Sequence, residues 1–125
     1  MIFLDRYSPQ LLSVLRIVAG LLFLEHGTSK LLGFPQVAMF DHLPPLMLAA
    51  GIIELIGGVL IVLGLFSRIA AFVGSGETAA AYWIYHVPHG GPFPVLNGGD
   101  AAVLFCFAFL YLAAAGPGPW AINSK

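Results

Sequence analysis

Glu25, His26, Glu54, Glu77 and Asp100 lie in or beside strongly apolar runs. Carboxyls and an imidazole in such surroundings suit four kinds of chemistry. They can bind and release protons, hold the polar head of a quinone-like molecule, ligate a metal, or pair with cations. Arg16 and Lys30 are the cations within reach for pairing. A charged group near the centre of a bilayer costs about 2.5–3.5 kcal/mol by insertion scales, so each of these residues requires a partner or a wet cavity.

Metal chemistry finds no pattern to rest on. A di-iron helix bundle normally shows Glu-x-x-His twice, and this chain has no such motif; Glu25 and His26 are adjacent and so point in different directions. His26 and His86 are the only pair that suggests haem ligation, and no ligand spacing supports haem or metal. There is no phosphate-binding glycine loop, nucleophile elbow or Cys-x-x-Cys. "GSGET", Gly74 to Thr78, falls inside an apolar segment and reads as helix packing. No catalytic residue stands out.

The elements that carry these residues are apolar helices. The chain has 125 residues, of which 59% are hydrophobic and 9% charged, with mean hydropathy +0.93. A soluble domain carries about 25% charged residues, so the expected solvent is lipid. A net charge of -1 argues against nucleic acid as a partner. The single cysteine, Cys106, excludes an internal disulfide and reads as a small packing residue. Arg16 inside the first run, with no small-x-small site after it, favours a retained helix over a cleaved signal.

Four segments reach the length of a membrane span: residues 10–32, 46–66, 68–86 and 99–115. They form one domain, 1–125, and the expected fold is all-α, an integral membrane four-helix bundle. Pro9, Pro44 and Pro45 suit helix starts; Gly33, Pro35 and Pro88 suit helix ends. The Ser67–Arg68 joint makes spans two and three antiparallel neighbours. The loops 34–45 and 87–99 then share one side. Arg6, Arg68 and Lys125, with Arg16 nearest, collect on the other, which places both termini in the cytoplasm. Tyr82, Trp83, Tyr85 and Trp120 read as interfacial aromatics.

Faces refine the picture. Gly51 and Gly58 flank Glu54 at i−3 and i+4, and Glu77 shares its stripe with Ala70, Gly74 and Ala81. Small residues let another helix approach closely, so both glutamates should point inward. His26 and Lys30 share a face with Arg16. Glu25 is turned toward Thr28 and Ser29, which should hydrogen-bond it. In the plainest reading Arg16 and Lys30 pair with Glu25, Glu54 or Glu77, the remaining acids stay protonated, and the pairs fix helix register.

"RIVAGLLFLEHGTSKLLGF", Arg16 to Phe34, resembles the first-helix motif of the DoxX family of small membrane proteins. "GIIELIGGVLIVLGLFSRIAA", Gly51 to Ala71, resembles its second, and "NGGDAAVLFCFAFLYLAAAGPGPW", Asn97 to Trp120, its last. Asp100 stands where family members often have Glu. The resemblance implies a four-helix protein of the bacterial inner membrane, associated with redox systems such as thiosulfate:quinone oxidoreductase. It transfers no catalytic residue.

The leading expectation is a membrane subunit of a redox system. Glu25, His26, Glu54 and Glu77 would form a polar pocket for a quinone headgroup or protons, and Asp100 an outer entry group. A soluble or membrane oxidoreductase is the expected partner, and a homo-oligomer is compatible with the small size. A small-solute carrier is the second reading, although the chain shows no inverted repeat. A structural or assembly protein is the third.

Overall fold

The computed structural model describes all residues 1–125. All of its regular secondary structure is helical, with no strand. Four longer helices carry it: α1 (Ser8–Leu32), α2 (Pro45–Leu63), α3 (Ser67–Ala81) and α4 (Asp100–Ala115). Short helical turns occupy Ile2–Asp5, Ala38–Phe40, Val87–Gly90 and Pro94–Asn97. Proline at the first turn of α1 and α2 costs no hydrogen bond, because those N–H groups have no partner in the helix.

Helix three differs from the expected 68–86. The α-helix ends at Ala81, a π-helical segment follows over Tyr82–His86, and helical backbone resumes through Val87–Gly90. Pro88 therefore does not stop the helical path. A proline ring clashes with the carbonyl four residues earlier, and the widened turn just before it relieves that clash. Helix two ends earlier than expected, at Leu63. Gly64 closes it at φ 68°, and Phe66 follows in the same left-handed region at φ 49°. Residues 64–66 are thus the turn that sends α3 back beside α2.

The helices associate as two close antiparallel pairs, α1 with α2 and α3 with α4, and α2 joins α3 along the short turn. Glycine sets the first pair. A Cβ on Gly27 would lie 2.4 Å from the Leu55 nitrogen, and one on Gly58 would lie 2.6 Å from the Leu24 Cα. Gly20 and Gly51 continue the seam at seven-residue intervals. In the second pair Gly74 meets the Phe109 ring, and Ser75 Oγ donates to the Cys106 carbonyl at 2.7 Å. Cys106 therefore packs at a helix contact.

Between the pairs lies a small core of Ala19, Phe23, Ile61, Ala70, Ala71, Phe109 and Leu112. Phe23 meets Phe109 edge-on at 4.8 Å. Only 27 residues are buried, and they include Arg16, Ser13 and Glu54. The outward faces are apolar instead: Leu11, Leu15 and Val18 on α1, Ile52 and Ile56 on α2, Ile69 and Phe72 on α3, Leu104 and Phe107 on α4. An apolar exterior around paired polar groups inverts the pattern of a water-soluble domain. By length and composition α1 and α2 can each cross a membrane; α4 is apolar but shorter.

Candidate functional site

The glycine seam decides the first polar contact. Gly51 lets Lys30 and Leu31 lie against α2; a Cβ there would be 3.2 Å from the Lys30 Cβ. Lys30 Nζ then reaches both carboxylate oxygens of Glu54, at 2.9 and 3.0 Å. The side chains retain only 9% and 6% of their exposure. The ammonium also faces the Phe40 ring, 5.5 Å from its centroid. Glu77, from α3, is near enough to feel both Glu54 and Lys30, and its Oε2 is buried without a hydrogen-bond partner. Lys30, Glu54 and Glu77 thus form one interior group with a single cation.

Glu25 and His26 belong elsewhere. They line a recess of about 350 Å³ with Ser29, Pro35, Val37 and Phe40. The floor is one face of α1 and the far wall is the loop that follows it. Ser29 Oγ donates to the Pro35 carbonyl at 2.5 Å, which folds the loop back over the helix end. His26 Nδ1 donates to the Leu22 carbonyl at 2.7 Å, which leaves Nε2 unengaged, and its ring meets Phe105 edge-on at 5.8 Å. Thr28 Oγ1 bonds the main-chain carbonyl of Glu25. The expected bonds from Thr28 and Ser29 to the Glu25 carboxylate are therefore not formed, since both hydroxyls are committed to carbonyls. The Glu25 carboxylate is exposed at the recess mouth.

Asp100 joins neither group. It is exposed in the first turn of α4, where an acid interacts favourably with the helix dipole. The neighbouring polar cluster is built on Asn97 instead. Asn97 Nδ2 donates to the Gly91 carbonyl at 2.7 Å, and its Oδ1 accepts from Gly99 N–H at 2.8 Å. The Tyr82 hydroxyl donates to the Pro92 carbonyl at 2.5 Å. Tyr82 is thus a buried tie of the loop, not an interfacial ring, whereas Trp83 is exposed. His86 Nδ1 bonds the Asn97 carbonyl. No group of three metal-ligating side chains comes together.

Arg16 takes no carboxylate. Its guanidinium is 1% exposed and donates to the carbonyls of Pro117, Trp120 (2.6 Å) and Val62 (3.4 Å). The acids it was expected to meet lie toward the other end of the helices. Ser13, one turn earlier, accepts from Trp120 N–H at 3.1 Å. Arg68 does the same work from α3. It donates to the Ala113 and Ala114 carbonyls at the C-terminal end of α4, and to that of Ser124. Two arginines and a serine thereby hold residues 116–125 across one end of the helices. The sequence signal was the Gly-Pro-Gly-Pro run itself: proline supplies carbonyls without N–H groups, and those carbonyls need donors.

An all-helical chain with an apolar exterior, two membrane-length helices and internally paired charges defines a membrane-type protein. The chain belongs to the DoxX family, a membrane-associated group, whose profile matches residues 11–87. That match covers α1, α2 and α3 and stops before α4. An uncharacterized protein of Haemophilus influenzae is 43% identical over 130 residues, covering 98% of this chain and 95% of that one. No solved structure matches.

Proposed function

We propose that this chain is a four-span protein of the bacterial inner membrane, with both termini cytoplasmic, and that it serves as the membrane subunit of a quinone-linked redox system. Apolar outward faces on all four helices support the spanning arrangement. The turn between α2 and α3, the C-terminal segment and the start of α1 gather at one end, where Arg16 contacts Val62 and Pro117. Arg68 lies there too, and the excess of positive charge supports a cytoplasmic position for that end. The loops 33–44 and 91–99 then form the outer surface, where an oxidoreductase partner would dock.

The observation that carries the ligand reading is the recess beside His26. Its volume falls within the range of about 300–1,000 Å³ usual for small-molecule sites. It combines three apolar walls (Pro35, Val37, Phe40) with Glu25, His26 and Ser29. A flat ring would rest on the apolar side while its polar substituents met the α1 side. The test is native mass spectrometry of detergent-purified protein. A bound quinone in the wild type, lost from Val37→Trp, supports the site. Absence of quinone after reconstitution with a molar excess of it counts against the reading.

One observation favours a second reading. Lys30 and Glu54 satisfy each other bidentately, as a register pin would. A structural or assembly protein would keep that pair and bind nothing in the recess.

A further inference from the structure

The recess is rich in hydrogen-bond acceptors and poor in donors. Glu25 offers two carboxylate oxygens, neither bonded within the protein. The proton of His26 is committed on Nδ1 to Leu22, so Nε2 presents a lone pair. The hydroxyl hydrogen of Ser29 is committed to Pro35, so its oxygen is likewise left with lone pairs. Pro35 has no N–H, and that of Phe40 is bonded to the Val37 carbonyl. The α1 residues spend theirs inside the helix. Among the lining residues, the Val37 N–H alone remains as a main-chain donor. The nearest ammonium, Lys30, does not line the recess; it is committed to Glu54.

From this donor and acceptor pattern we infer that the recess selects a ligand that brings its own hydroxyl donors: the dihydroxy-aromatic, reduced form of a quinone in preference to the oxidised form. The inference rests on the ligand reading above. A quinol sets one O–H on the Glu25 carboxylate and directs the other at His26 Nε2. A quinone carries only acceptor carbonyls. It would bring lone pairs against lone pairs at both positions and find one main-chain donor. Hydrogen bonds to a charged group are the stronger kind, so the preference should be large. Glu25 and His26 are then the specificity-determining pair, and the apolar walls are indifferent to the redox state of the ring.

The experiment is anaerobic equilibrium binding of a short-tailed ubiquinol analogue and of its oxidised counterpart to the purified full-length protein in detergent. The quinol is expected to bind at least about tenfold tighter, the equivalent of 1.4 kcal/mol. Glu25→Gln should narrow that ratio severalfold by supplying an amide donor to the quinone. Glu25 is exposed, so this variant keeps the fold. Equal or tighter binding of the quinone by the wild type overturns the inference and leaves the quinone site standing. Binding of neither form overturns both. A preference unmoved by Glu25→Gln also overturns the assignment, because the carboxylate would then play no part in it.

Discussion

Lys30 Nζ lies 2.9 Å from Glu54 Oε1 and 3.0 Å from Oε2, across the interface between the first two helices. The pair forms because Gly51 and Gly58, one turn to either side of Glu54, remove the side chains that would hold the helices apart. Glu54 is thereby both the most buried acid and the one fully satisfied by a cation.

Breaking this pair from one side should cost far more than removing it whole. Lys30→Met leaves a buried carboxylate unpaired, an effect of about 3–5 kcal/mol. Lys30→Met combined with Glu54→Leu should recover most of that loss. Thermal unfolding in detergent micelles checks the sign: a double variant no more stable than Lys30→Met would show that the pair carries no coupling.

The glycine seam should be intolerant at the crowded positions and indifferent elsewhere. Gly58→Ala places a methyl 2.6 Å from the Leu24 backbone, so the helices must separate, at a cost of about 1–3 kcal/mol. Gly76→Ala, with nothing within 4 Å, should be neutral or stabilising by up to about 1 kcal/mol. The melting temperatures of the two variants should move in opposite directions or differ clearly.

Much of this was legible in the residues. Gly51, Glu54 and Gly58 share one stripe, so an inward Glu54 followed from spacing alone, and Lys30 was one of its two candidate partners. Arg16 was not legible in the same way. Its partners are main-chain carbonyls about 100 residues away, and no side-chain pattern marks a carbonyl as waiting for a guanidinium. The recess was half legible. Glu25 and His26 stood out as chemistry, but Pro35, Val37 and Phe40 come from a loop whose path depends on the Ser29–Pro35 bond. The grouping of Glu25 and His26 with Glu54 and Glu77 into one pocket does not describe the structure: Glu25 and His26 line the recess with Phe40, whereas Glu54 pairs with Lys30, which is not among the recess residues.

The C-terminal segment should depend on the guanidinium geometry of Arg16. Arg16→Lys keeps the charge but replaces a planar fork by a point donor, which is ill-suited to bond Pro117 and Trp120 together. Limited chymotryptic digestion should then cut at Trp120 at least several times faster than in the wild type. Equal protection in the two proteins would show that Arg68 and Ser13 suffice.

Membrane topology should follow the end at which each segment lies. In a Cys106→Ser background, a cysteine at Met39 should react with an impermeant maleimide added to intact cells. One at Ser124 should react only after the membrane is opened. The reverse pattern would invert the proposed orientation; reaction of both in intact cells would rule out a common cytoplasmic end.

The most direct measurement is photo-crosslinking of an azido-quinone to the protein in native membranes, followed by peptide mapping. A ligand in the recess predicts label confined to residues between Glu25 and Phe40, reduced at least fivefold in Val37→Trp. Label spread over the outward faces of α2 and α3, unaffected by that substitution, would contradict a quinone site at Glu25 and His26.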